Sequence, residues 1–223
     1  MTDPVPERRN FYGRVHGKTL RASQKGYLAE DLDRWRLRGV TVEENPSRAV
    51  LEVSGEVWLE VGFGGGEHLV AVASANPGVL LIGCEPFVNG IAMALGKLRT
   101  AAIGNVAIHP GDVRDLLDVL PAGSLSRVYL NYPDPWPKAR HHRRRFVTQG
   151  YLVPLFRACA SGAEFRMATD IADYARQARE EAPKAGFVAV SDGGTPWDGW
   201  VRTRYETKAL REGRVPEYLV FRK

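Results

Sequence analysis

Apolar positions along this 223-residue chain fall into two regimes that meet near residue 50. Before it, the sequence is polar with scattered aromatics (Phe11, Tyr12, Tyr27) and no repeating period. After it, short β-branched runs alternate with longer amphipathic stretches. The runs at 57–61, 79–83, 105–108, 127–130 and 164–167 read as strands, and two more are expected at 187–190 and 218–221. The stretches at 67–74, 88–101, 113–119, 146–160 and 171–181 read as helices. Such alternation predicts an α/β domain, a seven-stranded, mostly parallel sheet with helices on both faces. With no internal repeat and no long linker, the expected organisation is an N-terminal extension over residues 1–45, its first half ordered only when something binds it, and one domain over 46–223.

Composition narrows the setting. No apolar run reaches the ~20 residues of a membrane-spanning helix, and the polar stretch from Met1 to Arg9 carries no signal-peptide core. Cys84 and Cys159 stand alone in the sequence, fit no zinc or redox spacing, and read as small core residues in a reduced, cytoplasmic environment. The five histidines offer no metal-ligand spacing beyond the adjacent His141 and His142, so no metal is expected.

Charge adds a partner. Six cations and no acid lie between Arg8 and Lys25 (Arg8, Arg9, Arg14, Lys18, Arg21, Lys25). Lys138, Arg140, Arg143, Arg144 and Arg145 follow in a second acid-free run with His141 and His142. Setting those eleven cations aside leaves 20 basic against 26 acidic residues, so the net charge of +5 is owed to two local segments. Concentrated positive charge on an otherwise acidic chain suits a nucleic acid. Either segment alone also fits an ordinary solvated surface.

Candidate chemistry starts at Glu60-Val-Gly62-Phe-Gly64-Gly65-Gly66-Glu67, placed between a predicted strand and a predicted helix. Gly62, Gly64 and Gly66 permit a sharp turn and close approach to a ligand. A dinucleotide fingerprint needs G-x-G-x-x-G/A. Here the sixth position is Glu67, whose charge opposes a pyrophosphate. An acid at Glu60 instead suits a ligand with a cationic amino-acid portion, such as S-adenosylmethionine. Glu85 ends the second strand where a carboxylate accepts ribose hydroxyls, and Asp112 follows the third strand where it can meet an adenine amino group. Asp112 fits equally as a helix N-cap.

The fourth strand runs into Asn131-Tyr132-Pro133-Asp134-Pro135-Trp136-Pro137-Lys138. Three prolines in five positions make a rigid, non-helical loop that presents Asp134. Trp136 can serve the site or plug the core.

The string from Pro133 to Arg145 resembles the signature of the bacterial tRNA (guanine-N7)-methyltransferase family. The glycine loop, Gly83-Cys84-Glu85, Ala168-Thr169-Asp170, Thr203-Arg204-Tyr205-Glu206-Thr207-Lys208 and the opening Tyr12-Gly13-Arg14 with Gly17-Lys18 resemble it too. Two departures are Pro137, where some members carry His, and Asn131, where an apolar or aromatic residue is expected. The resemblance covers nearly the whole chain. It implies a class I S-adenosylmethionine-dependent methyltransferase of Rossmann-like fold, acting in the cytoplasm on guanine N7 of tRNA, most often guanine 46 of the variable loop. By the same resemblance Glu60, Glu85, Asp112 and Asp134 contact the cofactor beside Gly62, Gly64 and Gly66, and Asp134 is catalytic. Lys138, Asp170, Thr203, Arg204, Tyr205 and Glu206 take the substrate, and Arg140, His141, His142, Arg143, Arg144 and Arg145 touch RNA. No obligatory protein partner is implied. The alternatives are a methyltransferase acting on another RNA or on protein, and a non-catalytic RNA-binding protein on the same fold.

Overall fold

A computed structural model describes residues 11–191 and 193–223; the cations Arg8 and Arg9 lie outside the described residues. Seven strands form one sheet: β1 (Glu56–Val61), β2 (Val79–Cys84), β3 (Val106–His109), β4 (Leu125–Asn131), β5 (Cys159–Thr169), β6 (Val188–Ala189) and β7 (Glu217–Arg222), in the order β3-β2-β1-β4-β5-β7-β6. The first five are parallel, and β7 runs antiparallel to both β5 and β6. The mostly parallel, two-faced sheet expected from the alternation is what forms.

Helices α1 (Ala22–Glu30), α2 (Leu32–Trp35), α3 (Glu67–Ala75) and α4 (Val88–Thr100) gather on one face. Leu69, Val72, Ile91, Leu95 and Leu98 pack there with Trp58, Leu81 and Tyr129 of the sheet. The other face carries α5 (Val113–Val119), α6 (Gln149–Ala158) and α7 (Ala172–Lys184), whose Leu116, Leu117, Leu152, Leu155, Tyr174 and Ala178 bury Leu59, Val128, Leu130 and Phe165. A short α8 (Arg204–Arg211) precedes β7. Because β1 sits between β2 and β4, the chain reverses its direction of travel across the sheet at the β1/β4 boundary. Crossovers on either side of such a boundary lie on opposite faces, and a crevice opens at the carboxyl ends of the two strands.

One helix has other bounds than expected, and α1, α2 and α8 are not among those the sequence pattern predicts. Helix α6 begins three residues later than the periodicity suggests: Arg145 is extended, the Phe146 N–H donates to the Tyr174 hydroxyl at 2.8 Å, and the extended Thr148 is the N-cap. It ends earlier because Cys159 and Ala160 already belong to β5. The N-terminal segment, where described, packs on the domain. Trp35 is buried and its indole N–H donates to the Ile103 carbonyl at 3.0 Å, Val40 is fully buried, and the Leu37 N–H donates to Ile108. Nearer the start, the Val88 N–H donates to Val15, while Asn89 accepts from the Gly17 N–H at 2.8 Å and donates to the Lys18 carbonyl at 2.7 Å. Residues 15–18 thus form a strap across the N-terminus of α4.

Trp35 gives this packing a number. Trp35→Ala is expected to lower the free energy of unfolding by about 3–5 kcal/mol, measured by urea denaturation. An unchanged midpoint would mean that residues 22–40 detach without consequence for the domain.

Candidate functional site

A cavity of about 750 Å³ occupies the β1/β4 crevice, lined by Gly62, Gly64, Glu85, Asp112, Asn131 and Asp134 together with aromatic side chains and residues 11–14. That size suits a nucleoside-scale ligand.

The glycine loop wraps one wall. Gly62 (φ 71°) and Gly64 (φ 55°) take the left-handed conformation and line the cavity. Gly66 (φ 77°) faces away, and a Cβ there would stand 2.6 Å from the Cβ of Ala94, so it serves the seating of the loop on α4. Three of the loop's amides are already committed: Gly62 donates to the Cys84 carbonyl at 2.8 Å, Gly64 to a Glu85 carboxylate oxygen at 2.7 Å, and Gly66 to Phe63 at 3.0 Å.

Three acids stand at successive strand ends, in unequal settings. Glu60 is buried beneath the loop, 3.0 Å from His68 Nδ1, and does not line the cavity. Glu85 accepts from Gly64 and from the Phe87 N–H at 2.9 Å. Burial, followed by the nearby charges of Asp134 and Glu60, raises its pKa. Asp112 does what its cap-like position suggested: it accepts from the Arg114 N–H at 2.9 Å and pairs with the Arg114 guanidinium while still lining the cavity. Its cap and ligand roles are therefore compatible.

The proline loop forms the opposite rim. Tyr132 (φ 50°) and Trp136 (φ 42°) both occupy the left-handed region that side chains avoid. Conformations of this kind cost about 1–3 kcal/mol each. Between them Asp134 is exposed and, among the described residues, has no hydrogen-bond partner. Tyr132 stacks on Tyr205 with ring centroids 6.5 Å apart, and Arg204 lies over the Tyr205 ring. On the far side the Arg144 guanidinium sits 4.6 Å from the Tyr12 ring and 5.0 Å from that of Trp136, so Trp136 belongs to the rim rather than to the core.

Two expected contact residues have a different occupation. Arg145, anticipated on RNA, is 1% exposed: it donates to the Pro135 carbonyl, Asp173 and Gln177 and covers the Tyr174 ring. A guanidinium so enclosed is not available to a phosphate. Glu206, anticipated on substrate, is 3% exposed and accepts from the Trp200 indole at 2.8 Å and the Tyr218 hydroxyl at 2.6 Å. Thr203 caps α8 by accepting from the Glu206 N–H, and Asp170 pairs with Arg214 at 2.5 Å. Lys138, Arg140 and Arg143 are exposed, whereas His141 and His142 are half-buried. Sequence reasoning missed Phe87, Tyr151 and Tyr174 in the lining; their apolar surroundings give no sign of it.

A family model described as "Putative methyltransferase" matches residues 54–216. The chain is 64% identical to the tRNA (guanine-N(7)-)-methyltransferase of Cereibacter sphaeroides, over 98% of this chain and 92% of that one. It is 63% identical to the protein of the same name from Paracoccus denitrificans, over 99% and 97%. Among solved structures, the 16S rRNA methyltransferase KamB superposes with a TM-score of 0.55 at 16% identity, covering 74% of this chain and 86% of that one. The aminoglycoside resistance methyltransferase NpmB1 gives 0.52 at 18% identity, covering 84% and 98%. Likeness at that level establishes the fold.

Beneath Asp112, burial depresses the pKa of His109 from 6.5 to about 4. The folded chain keeps this imidazole neutral while the unfolded chain protonates it below 6.5, so its contribution to stability is complete above that pH and fades as pH falls toward 4. Urea unfolding at about pH 7 and about pH 5 should show His109→Gln losing less stability on acidification than the wild type, by on the order of 1–2 kcal/mol. Equal losses would refute the assignment.

Proposed function

Since the chain belongs to the tRNA (guanine-N7)-methyltransferase family, a methyltransferase acting on guanine N7 of tRNA, we propose that its target is guanine 46 of the variable loop and that the β1/β4 cavity is its active site. One observation carries the second half: the polar residues of the cavity follow the order of the strand ends, Asp112 at β3, Glu85 at β2, the glycine loop at β1 and Asp134 beyond β4.

The residues present fit S-adenosylmethionine. Asp112 keeps a place in the lining for the adenine amino group. Glu85 holds two backbone N–H groups and retains lone pairs for ribose hydroxyls. At Gly62 an added Cβ would meet nothing within 4 Å, leaving that wall open to a ligand. Glu60 acts from beneath the loop through its charge. The cofactor, when bound, supplies an electrophilic methyl group on a sulfonium.

Guanine N7 carries an in-plane lone pair and no proton, so the protein needs no general base and its task is to hold the base in line. Asp134 presents a carboxylate on a stiff frame, where it orients the guanine edge and opposes the positive charge that the purine gains. Tyr132 and Tyr205 offer a stacking face for a base drawn out of the folded tRNA. Lys138, Arg140, Arg143 and the cations of the N-terminal extension grip phosphates, which makes binding strongly salt-dependent. Arg145 supports them by holding the Pro135 carbonyl.

Methyl transfer from labelled S-adenosylmethionine to unmodified tRNA transcripts, mapped by aniline-sensitive cleavage, should mark one site, at guanine 46, and lose it when that guanine is changed. Label at another guanine would remove the assignment of position 46. Asp134→Ala should lower kcat/KM by about a hundredfold or more while S-adenosylhomocysteine still binds; full turnover by that variant would take Asp134 out of the mechanism.

A further inference from the structure

Asn131 is the last residue of β4 and stands out from its neighbours. It is 9% exposed, it lines the cavity, and among the described residues neither its Oδ1 nor its Nδ2 has a hydrogen-bond partner. A buried amide with both ends unpaired is unfavourable, and native structures rarely keep one without a reason. We propose that Asn131 binds the amino-acid end of S-adenosylmethionine, its Oδ1 accepting from the ammonium group and its Nδ2 donating to the carboxylate. This rests on the reading of the cavity as the cofactor site.

Three observations converge on that end of the ligand. A nucleoside held at Asp112 and Glu85, on the ends of β3 and β2, directs its 5′ substituent toward β1 and β4, where Asn131 stands. Strand alternation puts Asn131 on the same sheet face as Tyr129. The Tyr129 ring packs 4.9 Å from that of His68, the partner of Glu60, so the amide shares its face with the Glu60 carboxylate.

The third concerns donors. A ligand carboxylate seeks N–H groups, but those of Gly62, Gly64 and Gly66 are already spent on Cys84, Glu85 and Phe63. The Asn131 amide is uncommitted. An amide offers donor and acceptor in one planar group, which matches a zwitterion. A guanine edge offers a similar pair, but the base enters over the exposed Tyr205 and Asp134, whereas Asn131 lies deep in the crevice.

Isothermal titration with two nucleosides separates these possibilities. S-adenosylhomocysteine carries the amino-acid end; 5′-methylthioadenosine lacks it. Asn131→Leu is expected to weaken the first by about tenfold or more and to leave the second within about twofold. Its thermal midpoint should hold or rise, since an unpaired polar group is exchanged for an apolar one. Asn131→Ala, which cannot overpack, should show the same split. Equal weakening of both ligands would reduce Asn131 to a structural residue and overturn the proposal. Unchanged binding of both would also overturn it, and a raised KM for tRNA alongside would assign the amide to the base. If the wild-type protein binds neither nucleoside, the reading of the cavity itself fails.

Discussion

The reversal of strand order between β1 and β4 is the constraint from which the rest follows. With β2 on one side of β1 and β4 on the other, the helices after β1 and β2 and those after β3 and β4 cover opposite faces. Neither layer roofs the carboxyl ends of the central pair. Every residue proposed to touch the cofactor lies within a few positions of a strand end around that gap. The two apolar layers keep the sheet rigid, so the strand ends hold their spacing without help from the ligand.

Long-range struts then fix the rims. Arg145 reaches from the basic segment to α7 and to the Pro135 carbonyl, so the loop bearing Asp134 is tied to a helix far along the chain. Glu206 ties α8 to Trp200 and to Tyr218 of β7, which sets Tyr205 over Tyr132. Buried charges of this kind seldom add much net stability, but losing one partner leaves the other stranded. Their effect here is positional. The cations around Arg145 and the polar residues around Glu206 face outward because these two face inward.

Much of this is legible in the sequence. Most of the strands announce themselves by short apolar runs, and the long helices by their spacing. Helix α1 does not, because it buries no residue and so carries no apolar period. The glycine loop, Glu85, Asp112 and Asp134 could be placed because chemistry and strand ends coincide there. Arg145 could not be told from Arg143 or Arg144 by composition, since the contact that buries it comes from 28 residues away. Asn131 was visible as a departure from pattern, but its unpaired amide emerges only when β1, β4 and the glycine loop are assembled.

The rim of the cavity concentrates what the rest of the fold avoids. Tyr132 and Trp136 hold left-handed backbone, Glu85 has a raised pKa, and among the described residues the Asn131 amide lacks partners. None of these features improves the stability of the ligand-free chain, whose support comes from the two apolar layers. They do make the site selective. An apolar ligand of the right size would fill the volume yet leave each polar group unpaired. A ligand with polar atoms in the matching order satisfies them together and gains both its own hydrogen bonds and relief of the penalty already present. A site built on unmet polar groups therefore discriminates against analogues that lack one group more sharply than a greasy pocket does. The instability of this rim and its specificity have the same physical origin.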